Sequence, residues 1–112
     1  MVKNLFLDDI RDPPNDGRKW IVVRSYDAAV QYVMDNGIPN YISFDHDLGE
    51  NVQTGMDFAK WLVDMHLDGR YIFPKEFNFY VHSANPAGAE NINGLMNGFL
   101  DFLVKEQNNA TG

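Results

Sequence analysis

Cysteine is absent from the sequence. A disulfide scaffold, a Cys-ligated zinc finger and a thiol nucleophile are therefore excluded. Positive charge is scarce: 9 Lys and Arg stand against 16 Asp and Glu, a formal net charge of −7. A general duplex-DNA binder needs Lys and Arg to replace phosphate counterions, so that class is set aside. An enzyme that handles one phosphate in a local pocket is not, because net charge says little about a single site. No apolar run approaches the roughly 20 residues of a membrane span. No basic region followed by an apolar stretch opens the chain, so no secretory signal is visible. The expectation is a cytoplasmic chain without membrane association. Walker, GxGxxG, HExxH and GxSxG motifs are missing too.

What is present reads as one compact domain. The 112 residues are 45% hydrophobic and 22% charged, ordinary globular values. No repeat, low-complexity tract or linker divides them. The domain is expected over residues 1–106, with a disordered polar tail at 107–112.

Strands are expected at 3–7, 20–24, 41–44 and 77–81. The segment between the first two contains Asp12-Pro13-Pro14-Asn15-Asp16-Gly17. Two prolines and an Asp-Gly pair forbid regular structure there. Ser25 reads as a helix N-cap, followed by Tyr26, Ala29, Val30 and Val33 at helical spacing and by Gly37 at the C-terminal end. A second helix runs from Thr54 to Leu67, with Phe58, Trp61, Leu62 and Met65 on one face. Asn85 caps and Pro86 starts a third helix, whose core face is Ile92, Leu95, Met96, Phe99 and Leu103. Strands alternating with helices imply a mainly parallel sheet covered by helices. The first connection is too short for an ordinary crossover and has no helix. The placement of the second strand, parallel or antiparallel, stays open.

Polar residues gather where strands end: Asp8-Asp9, then Asp45-His46-Asp47, then His82-Ser83 with Asn85 behind. In an open parallel sheet these ends share one edge, where α/β proteins bind ligands. Like charges that close repel and raise one another's pKa. A hard divalent cation such as Mg²⁺ among Asp8, Asp9, Asp45 and Asp47 would relieve this. Arg11 and Lys75 could instead neutralise part of the charge. Taken singly, any of these Asp residues could merely cap a turn. His46 and His82 are candidate general acid and base, since imidazole titrates near physiological pH. His66, within a helix, reads as a surface residue. The N-terminus of the last helix offers an anion site through its free N–H groups. Asn85 serves there as a cap, and Asn91 could reach the site from the first turns. Gly88, Gly94 and Gly98 are costly in a helix, and Gly94 and Gly98, one turn apart, suggest close approach to the sheet or to a second chain. A homodimer through the Gly94/Gly98 face is one such arrangement.

The strings LFLDDIRDPP, ISFDHDLG, TGMDFAKWL and VHSANPAGAENI resemble the cyclic-phosphate processing receiver domains. These are small relatives of the response-regulator receiver fold. The resemblance runs from about Leu5 to Leu103. It implies a three-layer receiver-like (flavodoxin-like) α/β fold with a reduced, mainly parallel four-stranded sheet. In receivers an acidic pair after the first strand binds Mg²⁺ and an Asp ending the third strand accepts a phosphoryl group. Asp8 and Asp9 match the pair, and Asp45 the acceptor. Ser83 resembles the hydroxyl residue after the fourth strand. The sequence departs from ordinary receivers in three ways. A Pro-rich loop replaces the first helix, the fifth strand with its lysine is not evident, and a histidine stands beside each of two site motifs.

The leading expectation is a metal-assisted phosphoesterase that processes cyclic phosphate ends of RNA or of nucleotides. Asp8, Asp9 and Asp45, with Asp47, would hold Mg²⁺ or Mn²⁺. His82 with His46 would move protons. Arg11, Ser83, Asn85 and Asn91 would place the substrate. The rival expectations are a non-catalytic receiver-like module and a plain binding protein for a nucleotide phosphate. The module would be switched by metal or by Asp45 phosphorylation and would bind a protein partner.

Overall fold

The computed structural model describes residues 2–111, with side chains through Glu106. Four short strands form one sheet: β1 (Asn4–Leu7), β2 (Trp20–Val23), β3 (Tyr41–Phe44) and β4 (Asn78–Val81), in the order β2-β1-β3-β4. Every neighbouring pair is parallel, and the register lines up Phe6 with Val22 and Ser43, and Ser43 with Tyr80. Three helices complete the described residues: α1 (Tyr26–Asn36), α2 (Gly55–Leu67) and α3 (Pro86–Thr111). The α/β receiver-like fold with a parallel four-stranded sheet is thus the observed one. The tail expected at 107–112 falls on residues outside those whose side chains are described.

β2 settles beside β1 in parallel although residues 8–19 contain no helix. The loop manages the return because both strands are only four residues long, so the chain has little distance to retrace.

Local signals fix the helix starts. Ser25 Oγ accepts the Ala28 N–H at 3.1 Å. Thr54 and Asp57 form a reciprocal capping box, with Asp57 Oδ2 accepting the Thr54 N–H at 2.8 Å and Thr54 Oγ1 the Asp57 N–H at 3.2 Å. Gly37, at φ +81°, ends α1 and returns its N–H to Val33 at 2.7 Å.

Alternate strand residues choose the two sheet faces. Leu5, Leu7, Val23, Ile42 and Phe44 enter a single core with Ala29 and Val33 of α1, Phe58, Ala59 and Leu62 of α2, and Ile92, Met96 and Phe99 of α3. Helix α2 packs between α1 and α3, so all three helices lie on this one face. Each large core side chain contributes about 1.5–3 kcal/mol of burial free energy. The opposite face carries Phe6, Trp20, Tyr41, Ser43, Tyr80 and His82, and no helix among the described residues covers it. There the third layer is the 8–19 loop, which brings Pro14, Asp16 and Arg18 over the aromatic rings.

Two glycines act through close approach. A Cβ on Gly55 would stand 1.7 Å from the Asp45 carbonyl oxygen, and one on Gly88 would stand 2.4 Å from Cγ of His46. Gly94 and Gly98 meet nothing within 4 Å of where a Cβ would stand. The close approach of these two to the sheet is therefore not what places them. His66 is not a plain surface residue: half-buried, its Nδ1 accepts the Phe73 N–H at 3.0 Å and braces the turn before β4.

Candidate active site

Because the strands are all parallel, the loops after Leu7, Val23, Phe44 and Val81 leave from one edge. Asp8, Asp45 and His82 meet there, each offering a ligand atom within 4.8 Å of the others. Asp8 is the deepest, 1% exposed. Its Oδ1 accepts the N–H groups of Ile10 at 2.9 Å and Arg11 at 2.8 Å, and its Oδ2 meets His82 Nε2 at 2.9 Å. Burial pushes the Asp8 carboxyl up, but the Arg11 and Ile10 N–H groups and the His82 ring outweigh it and hold it below the usual carboxylate range.

An ionised carboxylate only accepts hydrogen bonds, so His82 Nε2 carries the hydrogen. His82 Nδ1 lies 2.7 Å from Ser43 Oγ. The Ser43 hydroxyl donates to Nδ1 in the neutral ring and accepts from it in the charged one. The ring also stacks on Phe6, centroids 4.5 Å apart and planes 5° from parallel. Both nitrogens of His82 are thus partnered.

Asp45 behaves oppositely. Burial first, then the neighbouring Asp8 charge, raise its pKa, against the His46 N–H, His82 and the Ser83 hydroxyl. Two carboxylates this close are a natural seat for a divalent ion. Asp8 Oδ2 and the Asp45 carboxylate fit such a group. His82 would have to release Asp8 or Ser43 before ligating.

His46 and Asp47 form a second pair. His46 Nδ1 lies 2.8 Å from Asp47 Oδ1, and Nε2 of His46 has no hydrogen-bond partner among the described residues. His46 first, and Asn85 as well, hold the Asp47 carboxyl below its ordinary range against slight desolvation. Asn85 Nδ2 donates to both Asp47 oxygens at 3.3–3.4 Å, while Asn85 Oδ1 accepts the Gly88 N–H at 3.0 Å as the cap of α3.

The structure distributes the remaining sequence-predicted residues unevenly. Arg11 is at the rim, its Nη1 donating to the His82 carbonyl at 3.4 Å. Ser83 stands beside Asp45 and accepts the Asn85 N–H at 3.1 Å. Asp9 is half-buried and lies outside the three-residue cluster, as does exposed Asp47. Asn91 is exposed on α3, with no side-chain hydrogen bond among the described residues. Lys75 precedes β4, at the opposite edge from the site. The α3 N-terminus offers less than expected. Pro86 has no N–H, and those of Gly88 and Ala89 are taken by Asn85, leaving Ala87.

Two contributors are not evident from the sequence pattern. Arg24, at the end of β2, donates to the Asp8 carbonyl at 3.3 Å and to the Arg11 carbonyl, and pairs with Asp12 at 2.8 Å. Its one signal is a cation at the end of a strand, on the same edge as the acids. Ser43 is marked only by being a small polar residue between apolar neighbours in the strand YISF.

An acidic rim joined to imidazole, on a parallel receiver-like sheet, defines the class of the domain. A family model described as the cyclic-phosphate processing receiver domain matches residues 3–98, and the chain belongs to that family. No curated protein matches the chain. Among solved structures, it is similar to one described as a yeast Spc42 trimeric coiled coil, amino acids 181–211, fused to another structure. The two are 21% identical with a TM-score of 0.53, over 84% of this chain and 63% of that one. The chain therefore spans less than two thirds of that structure, and the likeness concerns the fold alone. No described helix is long and apolar enough to cross a membrane.

Proposed function

We propose that the domain is a metal-assisted phosphoesterase acting on cyclic phosphate ends of RNA or of nucleotides. The observation that carries this reading is the meeting of Asp8, Asp45 and His82 within 4.8 Å at the strand-end edge, in a chain whose family is named for cyclic-phosphate processing. Asp8 and Asp45 would hold Mg²⁺ or Mn²⁺, which when bound supplies neutralisation of phosphate charge. Arg11 and the Ser83 hydroxyl place phosphate oxygens.

Ring opening of a 2′,3′-cyclic phosphate adds water at phosphorus and breaks one ribose P–O bond. The attacking water must lose a proton and the departing ribose oxygen must gain one. His46 is arranged to take the proton from water, because Asp47 orients its Nδ1–H and leaves the Nε2 lone pair free. His82 serves as the acid in its charged form, with Nδ1–H donating to Ser43: Nε2 leaves Asp8 and gives its proton to the ribose oxygen, and the ring ends neutral with Nδ1–H still on Ser43. Before that step Asp8 holds the Nε2–H and orients the ring.

The test is incubation with nucleoside 2′,3′-cyclic phosphates in the presence of Mg²⁺ or Mn²⁺. Turnover is expected, lost by about 10²-fold or more in His82→Ala and in His46→Ala. Turnover that survives both His82→Ala and Asp45→Ala removes these assignments. A second reading rests on Asp45, which ends β3 beside Ser83 as a phosphoryl acceptor would. The domain is then a non-catalytic module that binds a protein partner, with metal or phosphorylation as its switch. Stable labelling of Asp45 by acetyl phosphate, without cyclic-phosphate turnover, favours that reading.

A further inference from the structure

The loop-covered face of the sheet holds a cavity of about 280 Å³, lined by Phe6, Trp20, Tyr41, Tyr80, Ser43 and His82 under Pro14, Asp16 and Arg18. We propose that this cavity is a nucleobase subsite, taking the base of the same nucleotide whose phosphate lies at Asp8, Asp45 and His82. The inference rests on the phosphoesterase reading for its phosphate end and goes beyond it in assigning the other end.

Four observations support a base. First, the cavity adjoins the acidic site through His82: its edge meets Asp8 while its ring forms cavity wall. Tyr80 precedes His82 by two residues on the same sheet face, a separation of about 6.6 Å along a strand. That is the order of the distance between a base and its ribose phosphate. Second, the size suits one planar ring system and no more, being at the small end of ligand pockets.

Third, the rings are not all used up by one another. Phe6 is covered by Trp20 and His82, and Arg18 lies over Tyr41 at 4.5 Å. Tyr80 has no ring partner among the described residues and is 59% exposed. An unpaired tyrosine beside a cavity is a stacking platform, and stacking tolerates any base. Fourth, the walls carry edge-reading groups. Asp16 is fixed by the Arg18 N–H at 3.1 Å and by the Trp20 indole N–H at 3.2 Å, and it pairs with the Arg18 guanidinium at 3.2 Å. The 8–19 loop, which occupies the place of a helix, is thus tied down at the cavity mouth.

The experiment uses two probes, adenosine 2′,3′-cyclic phosphate and methyl riboside 2′,3′-cyclic phosphate, which lacks the base. Binding is followed through the indole N–H resonances of Trp20 and Trp61. The nucleotide is expected to move Trp20 and not Trp61, and to bind about tenfold or more tightly than the base-less probe. Tyr80→Ala should lose that factor and Tyr80→Phe should keep it. A trinucleotide ending in the same cyclic phosphate distinguishes an RNA end from a free nucleotide, and a Trp20 shift with either supports the subsite. Equal binding of the two probes, an unmoved Trp20 in the bound state, or no binding at all overturns it. Turnover without base preference sinks this inference alone. Base-dependent binding without turnover sinks only the phosphoesterase reading.

Discussion

His82 reaches Asp8 across an intervening strand. The two residues follow β4 and β1, which are not neighbours in the sheet, yet Nε2 and Oδ2 are 2.9 Å apart. The ring lies over β3, takes Ser43 as its second partner, and rests on Phe6 of β1. One side chain therefore ties the ends of three strands together.

That tie should register as a coupling. Asp8→Ala leaves the N–H groups of Ile10 and Arg11 without their acceptor and is expected to cost about 1–3 kcal/mol. Combined with His82→Ala, the losses should fall short of additive by roughly 0.5–3 kcal/mol in denaturant unfolding. The pH dependence has a fixed sign. Asp8 is held below its ordinary pKa of 3.8 in the folded state, so its contribution is present above the unfolded value and is lost as pH falls through the folded one. Wild type should show this loss on the acid side and Asp8→Asn should not. Strict additivity at neutral pH would show that the pair is not energetically joined.

Asp45 predicts the reverse. Burial and the Asp8 charge raise its folded pKa above 3.8. Its ionisation therefore destabilises the metal-free fold above the folded pKa, and the penalty is relieved as pH falls through that value. Asp45→Asn should raise the neutral-pH melting temperature by a few degrees. Mg²⁺ or Mn²⁺ should raise the melting temperature of wild type, since a ligand of the folded state alone must stabilise it, and should leave Asp45→Asn unmoved. A metal response that persists in the variant would place the ion elsewhere.

The strand ends are legible in the sequence because carboxylates and imidazoles follow apolar strands, and a parallel sheet puts such ends on one edge. Helix starts are legible from Ser25, Thr54 and Asn85, each a side-chain cap. The placement of β2 is not, because the 8–19 loop has no helix to reveal a crossover. Nor is the division within Asp8-Asp9. Which of the two faces the site depends on where the chain leaves the sheet, and Asp8 is drawn in by two N–H groups of the following turn. The partnering of His82 is hidden for another reason: it depends on a ring crossing β3, and sequence spacing carries no record of that.

Ser43 tests whether His82 is positioned from behind. The hydroxyl is buried and is the partner of Nδ1. Ser43→Ala should cost about 1–3 kcal/mol by leaving a buried ring nitrogen unpaired. A purely structural role would end there. A positioning role also moves the His82 ring proton resonances at fixed pH and changes the pH profile of any turnover. Ser43→Thr, which keeps the hydroxyl, should restore both. A Ser43→Ala variant with unmoved His82 ring resonances and an unchanged pH profile would confine the residue to stability.

The glycines of α3 separate into two kinds, and alanine distinguishes them. Gly94 and Gly98 have open space where a Cβ would stand, so alanine there should add up to about 1 kcal/mol each through helix propensity. If a second chain packs on this strip, the same substitutions should instead weaken association, read by sedimentation. Gly88 differs, because its Cβ would stand 2.4 Å from Cγ and 2.8 Å from Nδ1 of His46. Either the ring or the first turn of α3 must move, and movement of the ring breaks the bond to Asp47. Gly88→Ala should therefore gain nothing in stability despite the better propensity, and should lower turnover about tenfold or more while perturbing the His46 ring resonances. Gly88→Ala with wild-type turnover despite displaced His46 ring resonances would remove His46 as the proton acceptor.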